Sequence, residues 1–216
     1  PHKENILKYL TGYKASAADD IGAVNTVLVG KGGRLKGYNT DYLGFSRHLS
    51  ELGLKPKKIA VIGAGGAAKA VCFSLAKKGA AEIAIYDIDR YKSISLMQRF
   101  QEIFSECRFM AVDTIEGLGL SHKDLLVNAS PVGMKKEDPC LISAGMLPQG
   151  IFVYDLIYRP AETRLLEAAR KAGLAHANGL GMLLYQGVES FNLWMKPRRA
   201  PVAVMSEALR LALHKG

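Results

Sequence analysis

Short apolar runs alternate with segments of helical periodicity through the middle of the chain. The runs cover residues 58–63, 82–86, 108–112, 124–127 and 151–156. Between and after them, apolar residues recur with the helical period at residues 67–78, 91–104 and about 161–172. Strands that alternate with helices are typical of βα units. The pattern therefore predicts an α/β fold built on a parallel sheet.

The two ends of the chain follow a different pattern. Residues 22–38 alternate in polarity on both sides of the turn Lys31-Gly32-Gly33, which predicts a pair of antiparallel strands. The last forty residues predict two helices at 182–194 and 202–214, joined by a linker at 197–201 that contains two prolines. The α/β block is therefore expected to be flanked by parts of a second unit.

Composition places the chain among ordinary globular proteins. Apolar residues make up 49% of the 216 residues and charged residues 23%, which excludes collagen-like and disordered classes. Lysine and arginine exceed aspartate and glutamate by 29 − 20 = 9. This basic excess favours an anionic partner, which could be a nucleic acid, a membrane surface or a small phosphorylated or carboxylated ligand.

The cysteines and the apolar runs limit the class of protein further. Cys72, Cys107 and Cys140 form no CxxC pair, so neither a zinc site nor a disulfide framework is predicted. A reducing, cytoplasmic location is expected on the same grounds. No uncharged apolar run reaches the ~18 residues of a membrane span, so no membrane partner is expected.

A glycine-rich turn between the first predicted strand and helix of the α/β block is the strongest chemical signal. The segment has the form GxGxxA, with Gly63, Gly65 and Ala68 at the marked positions. Such a turn lets a pyrophosphate approach the backbone at a helix N-terminus. The expected cofactor-binding residues of this turn are Gly63, Ala64, Gly65, Gly66 and Ala67. The motif predicts a Rossmann-like, doubly wound sheet that binds a dinucleotide, whereas a purely structural turn is the alternative.

Asp87 bears on which dinucleotide is bound. It follows the second strand, 87 − 66 = 21 positions after Gly66, near the ~20 expected for a carboxylate that binds the ribose hydroxyls of NAD. The same carboxylate would repel the 2′-phosphate of NADP, although Arg90 is close enough in sequence to pair with that phosphate. Alternatively, Asp87 and Asp89 only cap the next helix. We expect NAD or NADP, with NAD favoured.

The candidate acid–base residues are weak signals when taken alone. Asp41 lies in the polar cluster Tyr38-Asn39-Thr40-Asp41, and such clusters often only form turns. Lys3 lies near the start of the chain, where most lysines are solvated surface charges. The five histidines show no metal-ligand spacing and are interpreted as structural or surface residues; they are His2, His48, His122, His176 and His214. No metal site is predicted.

Seven motifs in order along the chain, from Pro1-His2-Lys3-Glu4 to Asn178-Gly179-Leu180, resemble the shikimate dehydrogenase family, which includes quinate/shikimate dehydrogenases. The segment Pro1-His2-Lys3-Glu4 is similar to the end of the family motif N-V-T-x-P-x-K, and the glycine turn is the family's cofactor turn. The other matching segments are Gly22-Ala23-Val24-Asn25-Thr26, Gly37-Tyr38-Asn39-Thr40-Asp41, Asn128-Ala129-Ser130-Pro131, Asp155-Leu156-Ile157-Tyr158 and Asn178-Gly179-Leu180 with Gln186.

The resemblance implies a role for particular residues. Lys3 would be the catalytic lysine and Asp41 its carboxylate partner. The substrate, a hydroxylated ring acid, would contact Asn25, Tyr158 and Gln186. The nicotinamide side of the cofactor would lie near Ser130, Met134, Leu156, Gly179 and Met182. The reaction implied is hydride transfer between NAD(P) and shikimate or its 3-dehydro ketone, with quinate as an alternative substrate.

The resemblance also implies a division of the chain and one departure from the family. Residues 41–178 would form the dinucleotide-binding domain, whereas 1–40 and 179–216 would be the remainder of a substrate domain. A family member is expected to have a further segment before the lysine motif. A cofactor-binding fragment without turnover is therefore a second hypothesis, and a basic nucleic-acid binder, which lacks a recognition motif, is a third. A monomer or a homodimer is expected.

Overall fold

The computed structural model describes residues 2–10 and 16–214, which form eight strands and seven helices. The strands are β1 (Thr26–Val29), β2 (Leu35–Tyr38), β3 (Lys58–Ile62), β4 (Glu82–Tyr86), β5 (Arg108–Val112), β6 (Leu125–Asn128), β7 (Phe152–Asp155) and β8 (His176–Ala177). The helices are α1 (Ser16–Ile21), α2 (Asp41–Glu51), α3 (Gly66–Lys77), α4 (Arg90–Ile103), α5 (Arg164–Lys171), α6 (Leu180–Trp194) and α7 (Val202–His214). Short 3-10 turns lie at Asn5–Tyr9, Lys31–Gly33, Glu116–Leu118, Leu120–His122 and Ala144–Met146.

Six of the strands form one parallel sheet, in the order β5-β4-β3-β6-β7-β8. The chain starts at the centre with β3, moves outward to β5, and then returns to β6 on the other side of β3. This is the doubly wound order of a Rossmann-like fold, and it opens a crevice between the carboxyl ends of β3 and β6. The predicted fold class is confirmed.

Alternation along each strand divides the core into two layers. In β3, Ile59 and Val61 lie on one face and Ala60 and Ile62 on the other, and all four are buried. The first face packs against α2, α3 and α4, and the second packs against α5. Strands buried on both faces appear in sequence as continuous apolar runs, which is why the sequence predicted them well.

The antiparallel pair predicted near the start of the chain is also present. β1 pairs with β2 from Thr26 opposite Tyr38 to Val29 opposite Leu35, around the turn that contains Gly32. The two predicted C-terminal helices correspond to α6 and α7. Among the described residues, no helix combines the length and the apolar character needed to cross a membrane.

The sequence predictions differ from the structure at three elements. The helix expected from about residue 161 begins at Arg164, because the hydroxyl of Thr163 accepts a hydrogen bond from Leu166 N at 3.3 Å and caps it there. Helix α2 and the two-residue strand β8 were not predicted. Pro1 of the lysine motif lies outside the described residues, as do parts of the predicted terminal segments.

Candidate active site

Lys3 and Asp41 form an ion pair at the start of α2. The Lys3 ammonium contacts Asp41 Oδ2, and Asn25 Nδ2 donates to the other carboxylate oxygen at 2.9 Å. The Asp41 side chain is 7% exposed, whereas that of Lys3 is 38% exposed. Two side chains therefore hold the carboxylate inside the protein, whereas the lysine side chain is partly exposed to solvent.

Backbone hydrogen bonds bring these three residues together. Val24 N donates to Lys3 O at 2.8 Å, which fixes the lysine segment beside the chain that enters β1. Asn25 N donates to Tyr38 O at 3.0 Å and extends the pairing of β1 with β2 by one residue. Asn25 thus lies opposite the turn that leads into Asp41, which explains how motifs far apart in sequence meet.

A buried hydroxyl network lies behind the ion pair. The Thr26 and Thr40 hydroxyls lie 2.9 and 3.0 Å from the Ser190 hydroxyl of α6. Asn25 Oδ1 accepts from Thr40 N at 2.8 Å and from Thr26 Oγ1 at 3.1 Å. Gln186 joins the edge of this network, because Thr40 Oγ1 donates to its Oε1 at 3.5 Å. The network connects α6 to the residues that hold Asp41.

The sequence analysis assigned no role to Thr26 or Ser190. Thr26 lies inside a quoted motif, next to Asn25, so its position was a usable signal. Ser190 follows Gln186 by four residues and therefore lies on the same face of the predicted helix. Helical spacing from a predicted site residue could have identified it.

The glycine turn has the geometry that a dinucleotide needs. Gly63 has φ of 105°, and a Cβ there would lie 2.9 Å from the Ala129 carbonyl group, so a larger residue does not fit. Gly65 is the N-cap of α3, and a Cβ there would meet nothing within 4 Å. The first turn of α3 thus presents its free N–H groups to open space, which suits a pyrophosphate.

Asp87 lies against this turn, as predicted. Its Oδ2 accepts from Ala64 N at 2.7 Å and its Oδ1 accepts from Asp89 N at 2.8 Å. Asp89, in contrast, is the N-cap of α4. The exposed Arg90 forms an ion pair with Asp113 at 2.7 Å.

A cavity of about 740 Å³ opens beside the turn, a size typical of small-molecule sites. The predicted cofactor residues that line it are Gly65, Gly66, Ala67, Ser130, Met134 and Leu156. Tyr158, predicted to contact substrate, and Leu213 of α7 also line it. Gly179 instead packs directly against the carbonyl of Leu156, and Met182 is buried in the core.

The cavity adjoins the ion pair through Gly66. A Cβ at Gly66 would lie 3.3 Å from the Lys3 Cβ, so the stem of the lysine rests on the glycine turn. Glu4 also pairs with Lys69 of α3 at 3.0 Å. The Lys3–Asp41 ion pair and the glycine turn therefore lie side by side.

The remaining titratable groups of the described residues do not form a metal centre. Among residues 2–10 and 16–214, no three His, Cys, Asp or Glu side chains cluster as metal ligands. His48 is half-buried, with Nδ1 2.6 Å from the Tyr154 hydroxyl, and burial lowers the pKa of its imidazole.

Comparison with known proteins gives the same family along nearly the whole chain. The family model "Shikimate 5'-dehydrogenase C-terminal domain" matches residues 179–210. The chain is 42% identical to the shikimate dehydrogenase (NADP+) of Caldanaerobacter subterraneus, over 90% of the chain and 69% of that protein.

Solved structures show the same likeness. The shikimate 5-dehydrogenase of Listeria monocytogenes, in complex with shikimate and NAD, is 35% identical with a TM-score of 0.86, over 97% of this chain and 75% of that one. The quinate dehydrogenase of Corynebacterium glutamicum, in complex with NAD, is 31% identical with a TM-score of 0.88, over 99% and 76%.

Proposed function

The chain belongs to the shikimate dehydrogenase family, and from that premise we propose that it interconverts shikimate and 3-dehydroshikimate with a nicotinamide dinucleotide as co-substrate. The observation that supports this most directly is the closeness of Lys3 to Gly66, where an added Cβ would lie 3.3 Å from the Lys3 Cβ. It brings a lysine–carboxylate pair to the cradle of the cofactor.

The bound dinucleotide supplies the hydride acceptor in oxidation and the donor in reduction. Lys3 Nζ, when it is the neutral amine, takes the proton of the ring hydroxyl during oxidation, and the resulting ammonium returns it during reduction. Asp41, fixed by Asn25, holds the ammonium in place. Asn25 and Gln186 bind the ring hydroxyls, and Tyr158 lies at the boundary between the ring and the cofactor. These roles follow the family motifs and the proximity of the side chains.

NAD is the proposed cofactor rather than NADP. The Asp87 carboxylate lies beside the turn, where it can accept hydrogen bonds from ribose hydroxyls and repels a 2′-phosphate. Arg90, the cation that could pair with such a phosphate, is engaged with Asp113. The Caldanaerobacter relative is named for NADP, so the proposed preference for NAD rests only on Asp87 and Arg90 of this chain.

We further propose a division of labour between two units. Residues 41–178 include the sheet and the cofactor cavity, and residues 1–40 and 179–216 supply the substrate side. The thiols of Cys72, Cys107 and Cys140 are free, which suits a reducing compartment such as the cytoplasm.

The first experiment measures formation of reduced cofactor when the protein meets shikimate or quinate, with NAD and with NADP. We expect turnover with shikimate and NAD. The Lys3→Ala variant should lose about 10²–10⁴-fold in kcat, the usual worth of an acid–base group, and keep its affinity for NAD. Lys8→Ala changes an exposed lysine of the same segment and serves as the matched control.

Each outcome of this assay has a definite meaning. Turnover with quinate alone would support the proposed hydride transfer, with quinate rather than shikimate as the substrate. NAD binding without any turnover would favour the cofactor-binding fragment, and loss of both would refute the proposal. Equal turnover by Lys3→Ala and the wild type would remove Lys3 from the mechanism.

A second experiment tests the cofactor preference. Asp87→Ala should lower the ratio of kcat/KM for NAD over NADP by about tenfold, since one lost charge–ribose interaction is worth ~1.4 kcal/mol. Asp124→Asn removes a carboxylate at the opposite end of the sheet and should leave the ratio unchanged. A ratio that stays constant in Asp87→Ala would eliminate the ribose role of Asp87.

A further inference from the structure

Two loops at the carboxyl end of the sheet form one wall of the cofactor cavity. The first follows β6 and contributes Ser130 and Met134, and the second follows β7 and contributes Leu156 and Tyr158. Neither loop is a regular helix or strand. One backbone hydrogen bond, from Leu156 N to Asn128 O at 2.9 Å, joins the starts of the two loops, and side-chain hydrogen bonds add to it.

Asp155, the last residue of β7, makes those hydrogen bonds. Its side chain is 0% exposed. Oδ1 accepts from Asn128 Nδ2 and from Ile157 N, each at 3.0 Å, and Oδ2 accepts from Thr163 Oγ1 at 2.6 Å. The carboxylate thus joins the end of β6, its own loop and the N-cap of α5.

Asn128 extends the same network into the first loop. Its Oδ1 accepts from Ser130 N at 3.0 Å and from Ser130 Oγ at 2.7 Å, and its Nδ2 also donates to Val132 O at 3.1 Å. A displacement of the Asp155 side chain would therefore also move the first loop, because Asn128 bonds to both.

Burial of a carboxyl group at this position opposes its ionisation. Burial raises the pKa of Asp155, and the hydrogen bonds from Thr163, Ile157 and Asn128 partly offset this effect. Burying a carboxylate costs free energy unless hydrogen bonds compensate the cost. Its presence here indicates that the arrangement of its hydrogen bonds contributes to the structure. Here three donors from three segments converge on one residue.

We propose that Asp155 is a positioning residue that sets the separation of the two loops and thereby shapes the nicotinamide half of the cavity. It does not touch the cofactor itself. The adenosine half lies at the glycine turn and Asp87, outside this network. The inference depends on the proposed function, because it assumes that a nicotinamide dinucleotide occupies the cavity.

The test compares two ligands that differ by the nicotinamide group. Binding of NAD and of ADP-ribose is measured by calorimetry on the wild type, Asp155→Asn and Thr163→Val. In both variants we expect NAD to bind about tenfold more weakly, which corresponds to ~1.4 kcal/mol of lost binding free energy. ADP-ribose should bind as it does to the wild type, within about twofold, because its contacts lie outside the network.

Two further variants separate positioning from general stability. Thr163→Ser keeps the hydroxyl that donates to Asp155 and should restore NAD binding relative to Thr163→Val. Asp124→Asn removes a carboxylate whose Oδ2 accepts from Lys57 N at 2.7 Å and Lys58 N at 2.8 Å, at the far end of the sheet. It should bind both ligands as the wild type does.

The outcomes distinguish the inference from its premise. If Thr163→Val bound both ligands equally more weakly, or bound both as the wild type does, the role of Asp155 would be overturned. This holds even if Asp155→Asn does not fold. A wild type that binds neither ligand would overturn the proposed function, and the inference with it.

Discussion

Lys123 is a charged residue that the fold buries at the amino end of the sheet. Its side chain is 4% exposed and pairs with Glu82 at the start of β4. The contact with Lys123 is the largest of the effects that lower the pKa of Glu82 below its ordinary value of 4.5. A buried ammonium that loses its partner is costly, so this pair is a sensitive point for stability.

Glu82→Gln should lower the free energy of unfolding at pH 7 by about 1–3 kcal/mol, the usual cost of a poorly satisfied buried donor. The folded-state pKa of Glu82 lies below its ordinary value of 4.5. The stabilisation by the Glu82–Lys123 pair is therefore present above pH 4.5 and is lost as the pH falls through the lowered pKa. Urea denaturation of the two proteins from pH 7 downward measures this. The difference should shrink in acid.

Glu167→Gln is the matched control for that experiment. Glu167 pairs with Lys171, and this pair also lowers the carboxyl pKa, but both side chains are well exposed. Solvent screens such pairs, so the variant should change stability little. If both variants lost the same free energy of unfolding, burial of Lys123 would not be the cause of the loss in Glu82→Gln.

Helices α2 and α6 approach each other closely because Gly44 has no side chain. A Cβ at Gly44 would lie 2.6 Å from Gln186 N and 2.7 Å from Met182 O, both on the backbone of α6. Backbone atoms cannot rotate away as a side chain can. The contact therefore fixes the distance between Asp41, at the start of α2, and Gln186.

Gly44→Ala should force the two helices apart and lower the free energy of unfolding by about 1–3 kcal/mol, as overpacking does. It should also raise KM for the ring acid, because Gln186 and Asp41 move apart. Gly187→Ala, on the partner helix α6, is the control, since a Cβ there meets only the Met205 methyl group at 3.6 Å. That variant should be neutral or stabilising through helix propensity; equal destabilisation of both would contradict the packing argument.

The sequence predicted the central strands to within one residue at either end, but it missed α2. Continuous apolar runs such as 82–86 have no competing interpretation when helices flank them. Helix α2 begins at Asp41, whose side chain turns into the site, and Thr40 provides no side-chain cap. Its position depends on packing against α3 and α6, which periodicity does not show.

The residues of the candidate site, like the elements of the fold, could be predicted only in part from local sequence patterns. The glycine turn and Asp87 could be predicted from spacing because both lie within one βα unit. Lys3 and Asp41 are unremarkable residues by spacing alone, and only the resemblance to a family identified them. Ser190 could have been found from its helical spacing to Gln186, whereas Asp155 forms hydrogen bonds between distant segments, which local sequence patterns do not reveal.

The hydrogen bond between Thr26 and Ser190 also affects the order in which the molecule assembles. It joins positions 164 residues apart, with the whole parallel sheet between them. Closing so long a loop in an unfolded chain is entropically unfavourable, and the cost falls once the intervening sheet has folded and brought its ends together. Contacts within βα units form over short stretches of chain and fold faster. We therefore expect the crevice between β3 and β6 to form before the hydroxyl network, so that the Lys3–Asp41 pair gains its final support last.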